Sequence, residues 1–202
     1  MTTVTTVQVG QIVPDFSMDT YEPTKKDFGK FSLAEAKQKG QWTVLVFYPA
    51  DFTFVCATEF SALAEQYAGL KAMGCEVLTV STDTKFTHKA WQEHEGELAN
   101  VTYPMAADPT GNVARMFGVY MADAGVSLRG TFIISPEGKL VGSEVNFLNF
   151  GRNMEELARK VGANVHLAKA PAEACPAKWK KSGDKTLKPN AAMVGKVSQA
   201  MK

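Results

Sequence analysis

Cysteine is scarce in this 202-residue chain: Cys56, Cys75 and Cys175 are the only three. That is too few for the disulfide framework of a small secreted protein, and an odd number leaves at least one thiol unpaired or pairing between chains. Histidine is as rare, at three. His88 and His94 stand six apart, not the three or four that put two ligands on one helical face, and His166 is remote in sequence, so no metal site is expected. A Gly-rich phosphate loop and a dinucleotide fingerprint are both missing, so no nicotinamide or flavin cofactor is expected either. No long hydrophobic run occurs; the longest, around Trp42 to Ala50, is far too short to span a bilayer. The start, Met1-Thr-Thr-Val, lacks the basic and apolar regions of a signal peptide, and the expected location is cytoplasmic.

An excess of either charge is also lacking, with 22 basic against 21 acidic residues, so the molecule as a whole gives no electrostatic argument for nucleic acid. The balance hides an asymmetry. Residues 168–202 carry a net charge of +6 and residues 1–167 a net −5. A hydrophobic content of 45% supports a globular fold. The length is generous for one domain, so the expected organisation is a domain over 1–167 followed by a basic tail, 168–202.

Residues 1–31 read as an irregular arm with short strands, because Gly10, Pro14, Pro23 and Gly29 punctuate it too often for a helix; its opening, Thr2–Val9, reads as an edge strand. Thr43 to Tyr48 is apolar and bounded by Gly40 and Pro49, the pattern of a strand buried on both faces. Phe60, Leu63, Ala64, Tyr67 and Leu70 then mark a helix that stops near Gly74 and places Cys56 on its first turn. Cys75 to Val80 is a second buried strand, making a βαβ unit with parallel strands. A helix over 86–98, a short helix over 113–117, strands at 131–134 and 140–145 joined by the turn at Pro136-Glu-Gly138, and a helix over 153–161 complete the order. That order predicts an α/β fold, a thioredoxin-like sandwich with a central mixed sheet flanked by helices, plus the N-terminal arm and the C-terminal tail.

Cys56 sits where a strand hands over to a helix. The free N–H groups and partial positive charge of a helix start favour an anionic sulfur there, hence a nucleophile. Taken alone, a lone cysteine on a buried helix face reads first as an inert packing residue; the surrounding motif reverses that reading. Cys75, opening a central strand, is expected to be packing.

The segment Phe47-Tyr-Pro-Ala-Asp-Phe-Thr-Phe-Val-Cys-Ala-Thr-Glu-Phe60 strongly resembles the active-site motif of the peroxiredoxins. Ser81-Thr-Asp-Thr-Lys-Phe-Thr-His-Lys-Ala-Trp91, Tyr103-Pro-Met with Asp108-Pro-Thr-Gly111, and Ser127-Leu-Arg-Gly-Thr-Phe-Ile-Ile134 resemble further blocks of that family. Glu173-Ala-Cys-Pro-Ala-Lys-Trp179 resembles the resolving-cysteine motif of its typical two-cysteine class, and the chain resembles the bacterial alkyl hydroperoxide reductase peroxidase type.

The resemblance implies a thiol-dependent peroxidase acting on hydrogen peroxide and organic hydroperoxides. It makes Cys56 the peroxidatic cysteine, with Pro49 shielding the thiolate and shaping the pocket and Thr53 hydrogen-bonding the peroxide. Arg129, which alone would read as a surface arginine, is implied to contact the sulfur. Glu59 and Arg152 are implied to be an ion pair that holds the site, although as charges alone they read equally as a solvated pair. Cys175, by itself a passive tail thiol or a reactive one, becomes the resolving cysteine, forming an inter-subunit disulfide with Cys56. The implied partners are thioredoxin or a dedicated flavoprotein disulfide reductase, and a second copy in a homodimer assembling into a ring, a decamer favoured, with neither nucleic acid nor membrane.

The chain departs from the family at Ala57, where proline usually follows the reactive cysteine. The Gly-Gly-Leu-Gly insertion and C-terminal Tyr-Phe of members sensitive to overoxidation are also missing. Two other readings compete. A thiol-disulfide oxidoreductase would need a Cys-x-x-Cys pair, which Cys56-Ala-Thr-Glu59 lacks; an oligomeric holdase chaperone would leave no signature of its own.

Overall fold

The computed structural model describes residues 6–201. The chain divides between Met154 and Glu155 into two compact units. In the first, a seven-stranded sheet runs in the order β2 (Asp27–Ser32), β1 (Ser17–Glu22), β5 (Met105–Ala107), β4 (Cys75–Ser81), β3 (Trp42–Phe47), β8 (Arg129–Ile134), β9 (Leu140–Asn146). Its centre is the expected βαβ unit: β3 (Trp42–Phe47), α2 (Phe54–Ala72) and β4 (Cys75–Ser81), the two strands pairing in parallel from Trp42 opposite Cys75 to Phe47 opposite Val80. All six residues of β3 are buried, as a strand covered on both faces requires. Leu45 and Phe47 join one apolar core with Leu78, Phe117 and Phe132. Tyr48, just beyond the strand, packs on the opposite layer against Phe60 (ring centroids 4.8 Å apart) and Trp91 (5.9 Å). Gly74, at φ +82°, supplies the left-handed turn that ends α2, and its carbonyl accepts from the Trp42 N–H at the start of β3.

The antiparallel return is also present. β8 (Arg129–Ile134) pairs with β3 on one side and with β9 (Leu140–Asn146) on the other. The expected helix over 86–98 is α3 (Lys85–His94) followed by a separate 3-10 turn, Gly96–Leu98. It packs against β1 and β5. The short helix α4 is Asn112–Met116. The mixed sheet with flanking helices is the expected α/β sandwich.

The arm carries the expected short strands, placed later in it than Thr2–Val9. Half of it is a hairpin, β1 (Ser17–Glu22) with β2 (Asp27–Ser32), which joins the sheet through β1 pairing antiparallel to β5 (Met105–Ala107). The short helix α1 (Leu33–Gln38) follows, its N-terminus capped by Ser32. Pro14 precedes these strands, Pro23 lies between them and Gly29 within the second, and no helix forms among the described residues before Leu33. Of the expected strand over 2–9, residues 2–5 lie outside the described residues, while Thr6–Val9 form no strand, although Val7 N–H reaches the Met116 carbonyl. A two-stranded ribbon, β6 (Tyr120–Met121) with β7 (Val126–Ser127), completes the unit.

In the second unit, α5 (Met154–Lys169) runs eight residues past its expected end at Val161. Gly162 reads as a stop in sequence, yet Leu157, Val161 and Val165 are all buried at successive turns, and that stripe carries the helix onward. Its ends suit the helix dipole, with Glu155 and Glu156 in the first turn and His166 and Lys169 in the last. The basic tail that follows has structure of its own. Ala174 and Leu187 exchange both backbone hydrogen bonds, at 2.8 and 2.9 Å, and Trp179 is buried. Among the described residues no helix is long and apolar enough to cross a membrane.

Candidate active site

Cys56 is the third residue of α2 and fully buried. The buried face of α2 begins with it: Cys56, Glu59, Phe60 and Leu63 follow at i, i+3, i+4 and i+7, so the periodicity that packs the helix also carries a thiol and a carboxyl into the interior. Burying a carboxylate is tolerable only with partners. Glu59 has two, both buried. Arg152 donates to it from Nε (2.9 Å), Nη2 (2.8 Å) and its backbone N–H (2.7 Å), and Arg129 from Nη1 (2.8 Å). Burial alone would push the Glu59 carboxyl up, but the hydrogen bonds and charge of Arg152, joined by Arg129, outweigh it and hold the group below the usual carboxylate range.

The same Arg129 Nη1 donates to Cys56 Sγ at 3.3 Å, and Arg129 Nε is held by the Leu148 carbonyl at 2.7 Å. A guanidinium fixed at both ends therefore points its charge at the sulfur. Arg152 is fixed in turn by the Gly130 carbonyl (2.9 Å) and Thr131 Oγ1 (3.1 Å) on β8. Gly151 makes this closeness possible. A Cβ there would meet Val55 Cγ1 at 3.1 Å, so its missing side chain lets the next backbone N–H reach Glu59.

The loop between β3 and α2 supplies the other expected residues. Pro49 is buried at its start and Thr53 is half-buried at its end, in extended backbone before the first turn. The Thr53 hydroxyl donates to the Ala50 carbonyl at 2.7 Å, so it retains its lone pairs for a ligand. Between them Phe52, at φ +57°, takes a left-handed conformation unusual for a bulky side chain, a local strain at the site.

Sequence reasoning weighed His88 only as a metal ligand, and so missed what holds this loop. His88 is fully buried, its Nδ1 2.8 Å from Asp51 Oδ2 and its Nε2 3.1 Å from the Ala106 carbonyl oxygen. Tyr48 donates to Asp51 Oδ1 at 2.6 Å, and the Asp51 N–H donates to Asp83 at 2.9 Å. Burial raises the Asp51 carboxyl despite the hydrogen bond and charge of His88. The available signal was the spacing of His88 and Trp91, i and i+3 on the one buried face of α3.

The other two cysteines differ. All three are free. Cys75 is buried in β4, and desolvation pushes its thiol up to about 12, which leaves it un-ionised and inert at neutral pH. Cys175, in the second unit, is partly exposed; burial and then the charge of Glu173 raise its thiol, against the opposing charge of Arg159.

The AhpC/TSA family matches over residues 9–143. The chain is 43% identical to an alkyl hydroperoxide reductase C of Amphibacillus xylanus over 189 residues, 94% of this chain and 98% of the relative. This chain belongs to the AhpC/TSA family. Among solved structures of similar proteins, AhpC of Enterococcus faecalis superposes with a TM-score of 0.78 at 40% identity, covering 83% of this chain and 98% of that one. A reduced 2-Cys peroxiredoxin of Plasmodium vivax does so with a TM-score of 0.84 at 31% identity, covering 93% and 98%. As an AhpC/TSA member with these relatives, the chain is a thiol-dependent peroxidase with a thioredoxin fold.

Proposed function

We propose that Cys56 is the peroxidatic nucleophile, that hydrogen peroxide and organic hydroperoxides are its substrates, and that Cys175 of a second copy resolves it. The observation that carries the reading is the Arg129 guanidinium, held by Leu148 and Glu59, donating to a fully buried Cys56 sulfur. The Cys56 thiolate attacks the terminal oxygen of the hydroperoxide; an S–O bond forms as the O–O bond breaks. Charge develops on the leaving oxygen, which takes up a proton and departs as water or an alcohol, leaving Cys56 as a sulfenic acid. Arg129 is the fixed donor for that charge, and Thr53 the acceptor that orients the hydroperoxide O–H. Pro49, buried and without an N–H, excludes a competing donor.

The Cys175 thiolate then attacks the sulfenic sulfur; an S–S bond forms and hydroxide leaves, becoming water. A dithiol reductant, thioredoxin or a flavoprotein disulfide reductase, returns both thiols. The second copy belongs to a homodimer within a ring, a decamer in this reading. Phe52, Phe54, Phe147 and Phe150 are 57–92% exposed around the site in the single chain, an apolar surface of the kind that partners cover. The domain 1–167 carries the peroxidatic site and the tail 168–202 the resolving thiol, in the reducing setting of the cytoplasm.

A non-reducing gel after one equivalent of peroxide tests the assignment. A covalent dimer is expected in the parent and in neither Cys56→Ser nor Cys175→Ser; a dimer that persists in either variant refutes the pairing. Disulfide formation also requires the first turn of α2 to open, since Cys56 is inaccessible. Ala57 lies in that turn. Proline there restricts the opened chain more than the closed one, worth about 0.5–1 kcal/mol. Ala57→Pro is therefore expected to slow disulfide formation by about two- to fivefold, read as the peroxide-independent phase of a rapid-mixing trace; equal rates would show that this turn does not limit the step.

A further inference from the structure

α3 carries a buried histidine to which the peroxide chemistry assigns no part. His88 Nε2 lies 3.1 Å from the Ala106 carbonyl oxygen of β5, an atom that can only accept, so this nitrogen carries a hydrogen. Nδ1 faces two oxygens. One is Asp51 Oδ2 at 2.8 Å; the other is the Tyr48 hydroxyl at 3.3 Å, whose own hydrogen goes to Asp51 Oδ1 at 2.6 Å. Three sets of lone pairs would repel one another at these distances, so a second hydrogen lies between His88 Nδ1 and Asp51 Oδ2, whichever of the two atoms owns it. The two side chains are 0% and 1% exposed, and the bond is made wholly inside the protein, where a hydrogen bond is strongest and its loss most costly.

That bond falls on the middle of the pocket loop. Asp51 stands two residues after Pro49 and two before Thr53. Its backbone N–H donates to Asp83 Oδ2 at 2.9 Å, and the same Asp83 oxygen accepts from Ser81 Oγ at 2.7 Å, so Asp51 is held through its backbone as well as its side chain. The carbonyl just before it, of Ala50, is the one that accepts the Thr53 hydroxyl. The Phe52 ring, just after it, lies 6.3 Å from that of Trp91, which shares the buried face of α3 with His88. Thr53 makes no side-chain cap bond to α2, so its hydroxyl takes its direction from the loop and not from the helix end. We propose that His88 is a positioning residue for the reaction with hydroperoxide: its Nδ1 contact with Asp51 fixes the loop that aims the Thr53 oxygen at the bound hydroperoxide. This rests on the reading of Thr53 as the acceptor of the hydroperoxide O–H. Such a tether acts through orientation, where a displacement of about 1 Å costs up to about 10²-fold in rate.

Two isosteres separate the two nitrogens of His88. Asparagine puts an amide N–H where Nδ1 stands and keeps the bond to Asp51; glutamine puts one where Nε2 stands and keeps the bond to Ala106. In single-turnover rapid mixing the first phase scales with peroxide, and its second-order rate constant is the readout. It is expected to fall about tenfold in His88→Gln and no more than about twofold in His88→Asn, with similar urea midpoints in the two. Equal constants, or a slower asparagine variant, overturn the proposal, because a histidine that merely ties α3 to β5 is replaced by glutamine and not by asparagine. Asp51 gives an independent reading should either variant fail to fold. Asp51→Asn offers its amide N–H to Nδ1 and is expected within about threefold of the parent, Asp51→Ala about tenfold slower; one constant for both overturns the proposal as well. A Thr53→Val variant that reacts at the parental rate would instead defeat the reading of Thr53, independently of the His88 variants.

Discussion

Replacing Arg129 by glutamine is expected to slow the reaction of Cys56 with hydroperoxide by about 10²–10³-fold, the largest loss from any substitution that leaves the sulfur in place. The magnitude is that of removing one preorganised donor from a buried reacting centre. Preorganisation is visible in the hydrogen bonds: the Leu148 carbonyl fixes Nε, and Nη1 is shared between Glu59 and the sulfur. The guanidinium cannot swing away without breaking both. Lysine keeps the charge but has one donor group where arginine has a planar fork, so it cannot serve Leu148, Glu59 and Cys56 together. Arg129→Lys is expected to fall between parent and glutamine variant. The measurement is the second-order rate constant of the first phase at pH 7; a glutamine variant with an unchanged constant would remove Arg129 from the reacting centre.

The second large effect falls on stability. Glu59→Gln leaves the side chain's shape but strips the carboxylate charge that pairs with both Arg129 and Arg152, whose side chains are 4% and 2% exposed. Breaking a buried ion pair from one side typically costs about 3–5 kcal/mol, because the remaining charge stays buried. Two cations compete for the one anion here, which puts the expectation at the upper end. The pH dependence has a definite sign. The Glu59 carboxyl is depressed in the folded protein, so its contribution is fully present above the ordinary glutamate range and is lost as pH falls below that range through the folded value. Urea unfolding should therefore show a large gap between parent and variant at pH 7 that narrows in acid. A gap of constant size would mean that the loss comes from packing rather than charge.

The centre of the fold is legible in sequence because burial on both sides leaves an unbroken signature. β3 is buried at all six residues and β4 at all seven but Glu76, with apolar and β-branched residues dominating both, and a helix between two such strands crosses over. The β1–β2 hairpin is illegible for the converse reason. Ser17-Met-Asp-Thr-Tyr-Glu22 and Asp27-Phe-Gly-Lys-Phe-Ser32 lie at the sheet edge, where polar residues are tolerated and the pattern is set by partners distant in sequence. β5 has three residues and no period to detect. At the site, the chemistry-bearing positions were named through motif resemblance, and the structure gathers Cys56, Glu59, Arg129 and Arg152 from α2, β8 and the segment before α5. No periodicity could have joined residues 93 apart such as Glu59 and Arg152. His88 was overlooked because histidine spacing was tested against metal geometry alone, whereas its partner Asp51 lies 37 residues away. The tail, read from its lysines as a basic segment, carries a buried tryptophan and a paired bridge that those lysines obscure.

The Thr53 hydroxyl spends its only proton on the Ala50 carbonyl. A molecule that docks on this oxygen must therefore bring a hydrogen of its own. Hydrogen peroxide and monosubstituted hydroperoxides carry one; dialkyl peroxides, with the same weak O–O bond, carry none. With Thr53 in its proposed role, one short hydrogen bond in the loop would select among peroxides by what they can donate, before bond strength or size is consulted.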